Sequence, residues 1–477
     1  SITGAVSRAV TAGKLRKLGS RLYSRNMADP PEAIVARNLW SIVAGYFPGA
    51  LIADRTALEN VPASDGSVCL VATRGQDIRL PGHTLRPRRG IAPLPTDLPF
   101  LGGLFLCSTA RAFLENMRPS RARGRVARTL GRAEIEERLD TLIRRSGEDA
   151  VNRLRDEIRA LGPALALDEE AAALDALIGA LLRTREAELS APSAVARGRG
   201  RPHDPDRLDL FQVLHAALRD HPPLSRIAPD RGPEGDATLT FFEAYFSSFI
   251  EGTEFAVDEA ADIVFRGAVP NERLADAHDI LGTWRIVSDI REMGRTPTDA
   301  GALEALLTAR HASIMEGRPE RRPGSFRQTA NRAGLTLFVA PDRVTSTLAR
   351  GFDLCRSLET PFQRAVFAMF LVAEVHPFVD GNGRIARIMM NAELVAAGEE
   401  RIIVPTVYLA HYLSALKALS QTRRAEPLVR MLDYAQRWTA AVDWRALIET
   451  RRELEECNAF LDSNVAVAEG TRLRMPS

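Results

Sequence analysis

Twelve consecutive residues, His376-Pro377-Phe378-Val379-Asp380-Gly381-Asn382-Gly383-Arg384-Ile385-Ala386-Arg387, place a base, a hard oxygen ligand, two glycines, an amide and two guanidinium groups within one turn. Gly381 and Gly383 let the backbone turn with its N–H groups outward. A helix that starts there adds unpaired N–H groups and a positive dipole end, which together suit an anion such as phosphate. Arg384 and Arg387 are three apart and share a helix face, and their planar forks match phosphate oxygens. Asn382 can donate to a phosphate from the loop. Asp380 offers the kind of oxygen that Mg²⁺ prefers when it bridges phosphates. His376 titrates near neutral pH and can accept a proton. Together these groups describe a nucleotide-phosphate site beside a base, suited to attack of a hydroxyl on phosphorus. Singly, each has a plain structural meaning: a helix-end His, an Asp-Gly turn, surface ion pairs. Their conjunction at close spacing favours the chemical reading.

Two apolar segments must hold this turn. Ala365 to Val375 is an unbroken apolar run, and Ile388 to Leu394 reads as the body of a second helix. The motif is therefore expected as a polar turn between two buried helices.

The twelve residues match without departure the signature H-x-F-x-(D/E)-G-N-G-R-x-x-R, and the chain resembles the Fic family. The resemblance implies a helical fold that transfers AMP from ATP to a Ser, Thr or Tyr hydroxyl of a target protein. By it, His376 is the base and Asp380 holds Mg²⁺. Gly381, Asn382 and Gly383 cradle the inner phosphates, Arg384 and Arg387 bind the outer ones, and Phe378 anchors the loop in the core. Relatives with Lys at the position of Gly383 behave as kinases; glycine favours AMP transfer.

Further segments fit the resemblance. Phe241 to Glu251 reads as an apolar helix ending at Gly252, with Ser247 and Glu251 four apart on one face. On residues alone this is a helix-end Glu in a surface ion pair. The spacing also resembles the family's inhibitory motif (S/T)-x-x-x-E-(G/N), which implies that Glu251 pairs with Arg387 and blocks ATP; in some relatives the Glu serves removal of AMP instead. The stretch Asn331 to Pro341, with Gly334, Leu335 and Thr336 at its centre, reads as a hairpin. It is either an ordinary surface hairpin or the family's flap, which docks the target by strand addition. Tyr412 is a core residue or borders the adenine.

The remaining chain is read from composition. With 477 residues, two or three domains are expected; a net charge of +2 gives no global sign of nucleic acid. No run of about 20 apolar residues appears, so no membrane span is expected. There is no apolar signal-peptide core. Cys69, Cys107, Cys355 and Cys457 are scattered, which suits reduced thiols in a cytoplasmic protein. Lysine occurs only at positions 14, 17 and 417 against an excess of arginine.

Charge is uneven along the chain. The first 26 residues carry Arg8, Lys14, Arg16, Lys17, Arg21 and Arg25 and no acid. Ala5-Val6 and Ala9-Val10 mark a helix, and Leu15, Leu18, Leu22 and Tyr23 a short wing. With Ala53-Asp54-Arg55-Thr56-Ala57-Leu58, this resembles AbiEi-type antitoxin regulators, which implies a winged helix and DNA as a partner; a basic arm on a packing domain reads equally well. A second basic stretch runs through Arg118, Arg121, Arg123, Arg125, Arg128 and Arg132. Residues 133 to 189 read as two long helices broken at Gly162-Pro163, and 190 to 205 as an interdomain linker.

The expected architecture is mainly α. An α/β winged-helix-like domain spans 1–117, a helical hairpin and linker 118–205, the all-helical Fic domain with its β-hairpin flap 206–440, and a helical extension 441–477. The expected activity is AMP transfer with ATP and Mg²⁺, held off by Glu251, with a homodimer implied by family resemblance. The alternatives are a DNA-binding regulator whose Fic unit senses nucleotide, and removal of AMP.

Overall fold

The computed structural model describes residues 2–476 apart from Arg74, 123–125, 223–224 and 334–335, and side chains from Ala5 onward. Gly334 and Leu335 of the expected flap, and Arg123 and Arg125 of the second basic stretch, therefore lie outside the described residues. The chain forms two compact units, Ser1–Arg201 and Pro202–Ser477. Among the described residues no helix is long and apolar enough to cross a membrane. All four cysteines are free and buried.

The first unit opens with helix α1 (Ile2–Thr11) and an antiparallel hairpin of β1 (Arg16–Gly19) and β2 (Leu22–Ser24). Helices α2 (Pro31–Arg37) and α3 (Leu39–Tyr46) follow, then β3 (Leu51–Ile52), α4 (Asp54–Glu59), β4 (Ser67–Val71), β5 (Ile78–Leu80), β6 (His83–Arg88), β7 (Leu98–Phe100), β8 (Leu104–Leu106) and α5 (Thr109–Asn116). The strands make a mixed six-stranded sheet in the order β5-β6-β4-β3-β8-β7. Alternation along the strands divides two cores. Leu51 pairs with Val71 and both join the core shared with Leu139 and Leu174, whereas Ile52 and Leu70, also paired, join Val35 and Val43.

The helical region of this unit departs from expectation at its breaks. Helix α6 (Arg132–Leu165) carries Pro163 in its last turn and ends at Ala166, whose φ is 52°; α7 (Asp168–Leu181) follows. The interior interruption is at Gly147, where φ is 80° and ψ 172°. Glycine reaches that conformation without a Cβ clash, whereas Pro163 removes the single bond that its own N–H would have made to the Arg159 carbonyl, and the helix ends within three residues of it. The stretch read as linker contains α8 (Pro192–Gly198), tied down by Arg197 Nε to Asp140 Oδ1 at 2.6 Å, with Ala191 and Ala194 fully buried. Its small alanine face packs even though its composition looks like a linker.

The second unit is helical: α9 (Pro205–Arg219), α10 (Gly232–Ile250), α11 (Val257–Arg266), α12 (Leu274–Ser288), α13 (Ile290–Met293), α14 (Ala300–Ile314), α15 (Val344–Arg356), α16 (Pro361–Val375), α17 (Asn382–Ala396), α18 (Leu409–Thr422), α19 (Glu426–Ala441), α20 (Leu447–Glu456) and α21 (Ser463–Glu469). Two short strands, β9 (Arg332–Ala333) and β10 (Thr336–Leu337), pair antiparallel between α14 and α15. Helix α16 is the central post. Its N-terminus is fixed by a capping box, in which Thr360 Oγ1 accepts from the Gln363 N–H and Gln363 Oε1 accepts from the Thr360 N–H, with Pro361 in the first turn. Phe362, Val366, Phe367, Met369 and Phe370 are buried on every side of it, which explains the uninterrupted apolar run.

Candidate active site

Helix α16 ends when His376 enters the left-handed region, with φ 54° and ψ 60°. Such a residue stores strain of roughly 1–3 kcal/mol, held here by its surroundings. Arg327 fastens the carbonyl side of the turn: its Nε donates to the His376 carbonyl at 2.7 Å, its Nη1 to Thr329 O at 3.0 Å, and its Nη2 to Val339 O. Five residues on, Gly381 at φ 73° starts α17.

The turn between them is closed from inside. Asn382 Oδ1 accepts the Phe378 N–H at 2.9 Å and its Nδ2 donates to the Phe378 carbonyl at 3.0 Å. The Asn382 side chain is turned inward and buried, and closes the loop with these two bonds. Phe378 is fully buried against His311, whose ring stacks on it at 3.7 Å. His311 Nδ1 accepts the Gly324 N–H at 2.9 Å, so Nε2 carries the proton and donates to the Asp380 carbonyl at 3.0 Å. Burial drops the His311 pKa to about 4, which keeps this bridge neutral.

His376 is also kept neutral. Burial, with the nearby Arg327 charge, outweighs the Ala373 carbonyl and the carboxylates of Glu251 and Asp380, and its pKa falls to about 4. The Ala373 carbonyl, 3.4 Å from Nδ1, can only accept, so the proton sits on Nδ1 and Nε2 keeps its lone pair. Phe338, just past β10, stacks on the imidazole at 3.8 Å. A neutral imidazole with a free ring nitrogen is the form a general base needs.

The glycine and arginine residues expected to meet an anion surround the start of α17. Helix geometry leaves the first backbone N–H groups of α17 without intrahelical partners. The Glu251 carboxylate lies over them: a Cβ built on Gly383 would meet Glu251 Oε1 at 2.0 Å and Oε2 at 3.0 Å. The same carboxylate accepts from Arg387 Nη2 at 2.8 Å. Ser247, one turn back on α10, accepts Arg387 Nε on its Oγ at 3.0 Å and Nη2 on its carbonyl at 2.8 Å. Ser247 and Glu251 thus share one helix-end face and both engage Arg387. A helix N-terminus with an adjacent arginine is an arrangement that suits an anionic group, and here that group is the Glu251 carboxylate.

Arg384 is deeply buried. Its Nη1 lies 3.0 Å from Asp279 Oδ1, and its Nη2 points at Met315 Sδ at 3.2 Å. Tyr412 is buried, with its hydroxyl 3.3 Å from Met369 Sδ and against Arg387, so the structure places it in the core. Of the expected flap, Thr336 pairs with Ala333.

Asp380 is half-exposed; its Oδ1 accepts the Gly381 N–H at 2.7 Å and Arg321 lies 3.7 Å from Oδ2. Among the described residues no three His, Cys, Asp or Glu side chains gather as a cation site. A single accessible carboxylate fits Mg²⁺ of the kind that keeps waters and bridges phosphates, and does not fit a protein-only cage.

Sequence reasoning missed His311, Arg327, Phe338 and Asp279. Arg327 lies four residues before the hairpin stretch that starts at Asn331, where no local pattern marks it. His311 and Asp279 lie more than sixty residues from the motif with no characteristic spacing, and nothing local marks them.

Residues 302–394 match the Fic/DOC family. Among curated relatives, the chain is 36% identical over 202 residues to the protein adenylyltransferase Fic of Drosophila persimilis, covering 40% of this chain and 38% of that one. It is 25% identical over 182 residues to the protein adenylyltransferase fic-1 of Caenorhabditis briggsae, covering 37% and 36%. The chain thus spans well under half the length of the curated relatives it matches. Among solved structures, a Fic domain containing signaling protein from Bacteroides thetaiotaomicron aligns over 51% of this chain and 97% of that one, with 16% identity and a TM-score of 0.39. The chain carries a Fic domain homologous to protein adenylyltransferases. His376 to Arg387 falls inside the matched region; Ser247, Glu251 and Tyr412 fall outside it.

Proposed function

We propose that this chain transfers AMP from ATP to a hydroxyl of a protein target, and that Glu251 holds it off. The observation that carries the proposal is the Glu251 carboxylate, seated over Gly383 and bonded to Arg387. It marks an anion site by occupying it.

In the released state, the triphosphate takes the place of that carboxylate at the start of α17. Arg387 exchanges a carboxylate for a phosphate with the same fork, so the two compete directly. The target hydroxyl attacks the α-phosphorus in line, the bond from that phosphorus to the β-bridging oxygen breaks, and pyrophosphate leaves. His376 Nε2 takes the hydroxyl proton. Asp380 would hold Mg²⁺, which would supply charge neutralisation for the leaving group. The strands β9 and β10 offer an edge along which a target segment aligns. A neutral His376 argues for catalysis over mere nucleotide sensing, because sensing needs no base.

Label transfer from α-³²P-ATP with Mg²⁺ tests this on the wild type, Glu251→Gly and Glu251→Gly/His376→Ala. Label on protein in the second sample alone is the expected result. Silence of all three, with salt-dependent DNA binding by the wild type, would reverse the reading in favour of a DNA-binding regulator.

A further inference from the structure

Arg384 is held by charge without being saturated by hydrogen bonds. Its Nε and Nη1 are buried and have no hydrogen-bond partner, and Nη2 has only the weak acceptor Met315 Sδ. The counter-charge is Asp279 on α12, 2% exposed, with Oδ1 3.0 Å from Arg384 Nη1. Asp279 is shared. Arg318 donates to it from Nε at 3.1 and 3.0 Å and approaches with Nη2 at 2.8 Å, and Thr253 Oγ1 donates to its Oδ2 at 3.3 Å. One carboxylate thus faces two guanidinium groups, and the better-aligned bonds go to Arg318. Arg384 keeps a net positive charge and free donors at the foot of the anion site.

We propose that Asp279 is a positioning residue for nucleotide: it fixes the Arg384 fork beside the start of α17 while leaving its donors available to a phosphate oxygen. Through Thr253, two residues beyond Glu251, it also anchors the segment that leaves α10. The inference rests on the transferase reading above. It adds a residue that lies outside both the twelve-residue motif and the Ser247–Glu251 pair. Buried charges without a purpose are replaceable by apolar side chains at little loss, whereas a fork that must meet a ligand needs its geometry held.

The test compares Glu251→Gly with Glu251→Gly/Asp279→Asn, Glu251→Gly/Arg384→Ala and the triple variant. Affinity is read with a fluorescent, ribose-labelled ATP and Mg²⁺, alongside the thermal midpoint. Asparagine keeps the volume and the Thr253 bond and removes the charge. The expected result is an affinity about tenfold weaker in Asp279→Asn, a comparable loss in Arg384→Ala, and little further loss in the triple variant. A purely structural Asp279 would lower the midpoint and leave the affinity of the folded protein unchanged, which would overturn the assignment while the transferase reading stood. If Glu251→Gly itself held no nucleotide, both would fall together.

Discussion

Replacing Gly383 by alanine should change sign with the state of residue 251. Gly383 sits in the first turn of α17 with helical backbone, where alanine ordinarily stabilises by about 0.5–1 kcal/mol. In the wild type, however, the three nearest atoms to the new methyl all belong to the Glu251 carboxyl group, with Oε1 at 2.0 Å. An ordinary contact needs 3.4 Å or more, so the carboxylate must retreat by about 1.4 Å. A retreat of that size directed away from Arg387 takes the 2.8 Å bond past hydrogen-bond range, whereas a sideways swing of the carboxylate keeps the bond and removes the cost. Glu251 is 27% exposed on its side chain, so the loss of this charge-assisted bond is discounted to about 1–2 kcal/mol. The net effect in the wild type is a destabilisation of up to about 1.5 kcal/mol. In a Glu251→Gly background the obstructing carboxylate is gone, and the same methyl should stabilise by about 0.5–1 kcal/mol. Urea unfolding of the four proteins, followed by circular dichroism, reads both differences. An equal effect of Gly383→Ala in the two backgrounds would refute the loss of the Glu251–Arg387 bond on which the difference rests.

Other consequences follow from the buried histidines and from Arg327. His311 is neutral in the folded protein with a pKa near 4 and close to 6.5 when unfolded, so the unfolded chain binds the extra proton first. Its contribution is complete above about pH 6.5 and is lost as pH falls toward 4, by about 3 kcal/mol, visible as a falling urea midpoint across that window. A midpoint flat from pH 7 to 4.5 would contradict it. For Glu251→Gly, the acid limb of kcat/KM should lie well below pH 6.5, because the free His376 pKa is near 4 and removing the Glu251 charge lowers it further. An acid limb at pH 6.5 would show that His376 is solvated. Arg327→Lys should cost about 2 kcal/mol or more, since a single ammonium cannot replace bonds to His376, Thr329 and Val339 that leave three different nitrogens of one planar fork. A thermal midpoint equal to that of the wild type would count against the role of Arg327 as the clasp of the turn.

Much of the site is legible in the sequence because it is local. The turn from His376 to Arg387 is set by its own glycines, by the apolar runs that flank it, and by the three-residue spacing of its arginines. The side-by-side placement of Ser247 and Glu251 follows from a four-residue helical repeat. Local chemistry also misleads where composition and packing disagree: Pro163 is absorbed by a helix end, Gly147 makes the real interruption, and the linker-like alanines of α8 are buried.

What tertiary structure decided is where each of those groups finds its partner. Asn382 spends its amide on Phe378, Arg384 meets Asp279 from α12, and His311 from α14 bridges Gly324 to the Asp380 carbonyl. These pairings join residues four to more than one hundred positions apart, and burial forces each polar group to find some partner without a local pattern naming which one. The sequence by itself determined which chemical groups gather and the turn that presents them. Only the packing of α10, α12 and α14 against α17 decided that the Glu251 carboxylate meets Arg387 and that the imidazoles stay neutral, because both depend on distances and desolvation that no spacing along the chain encodes.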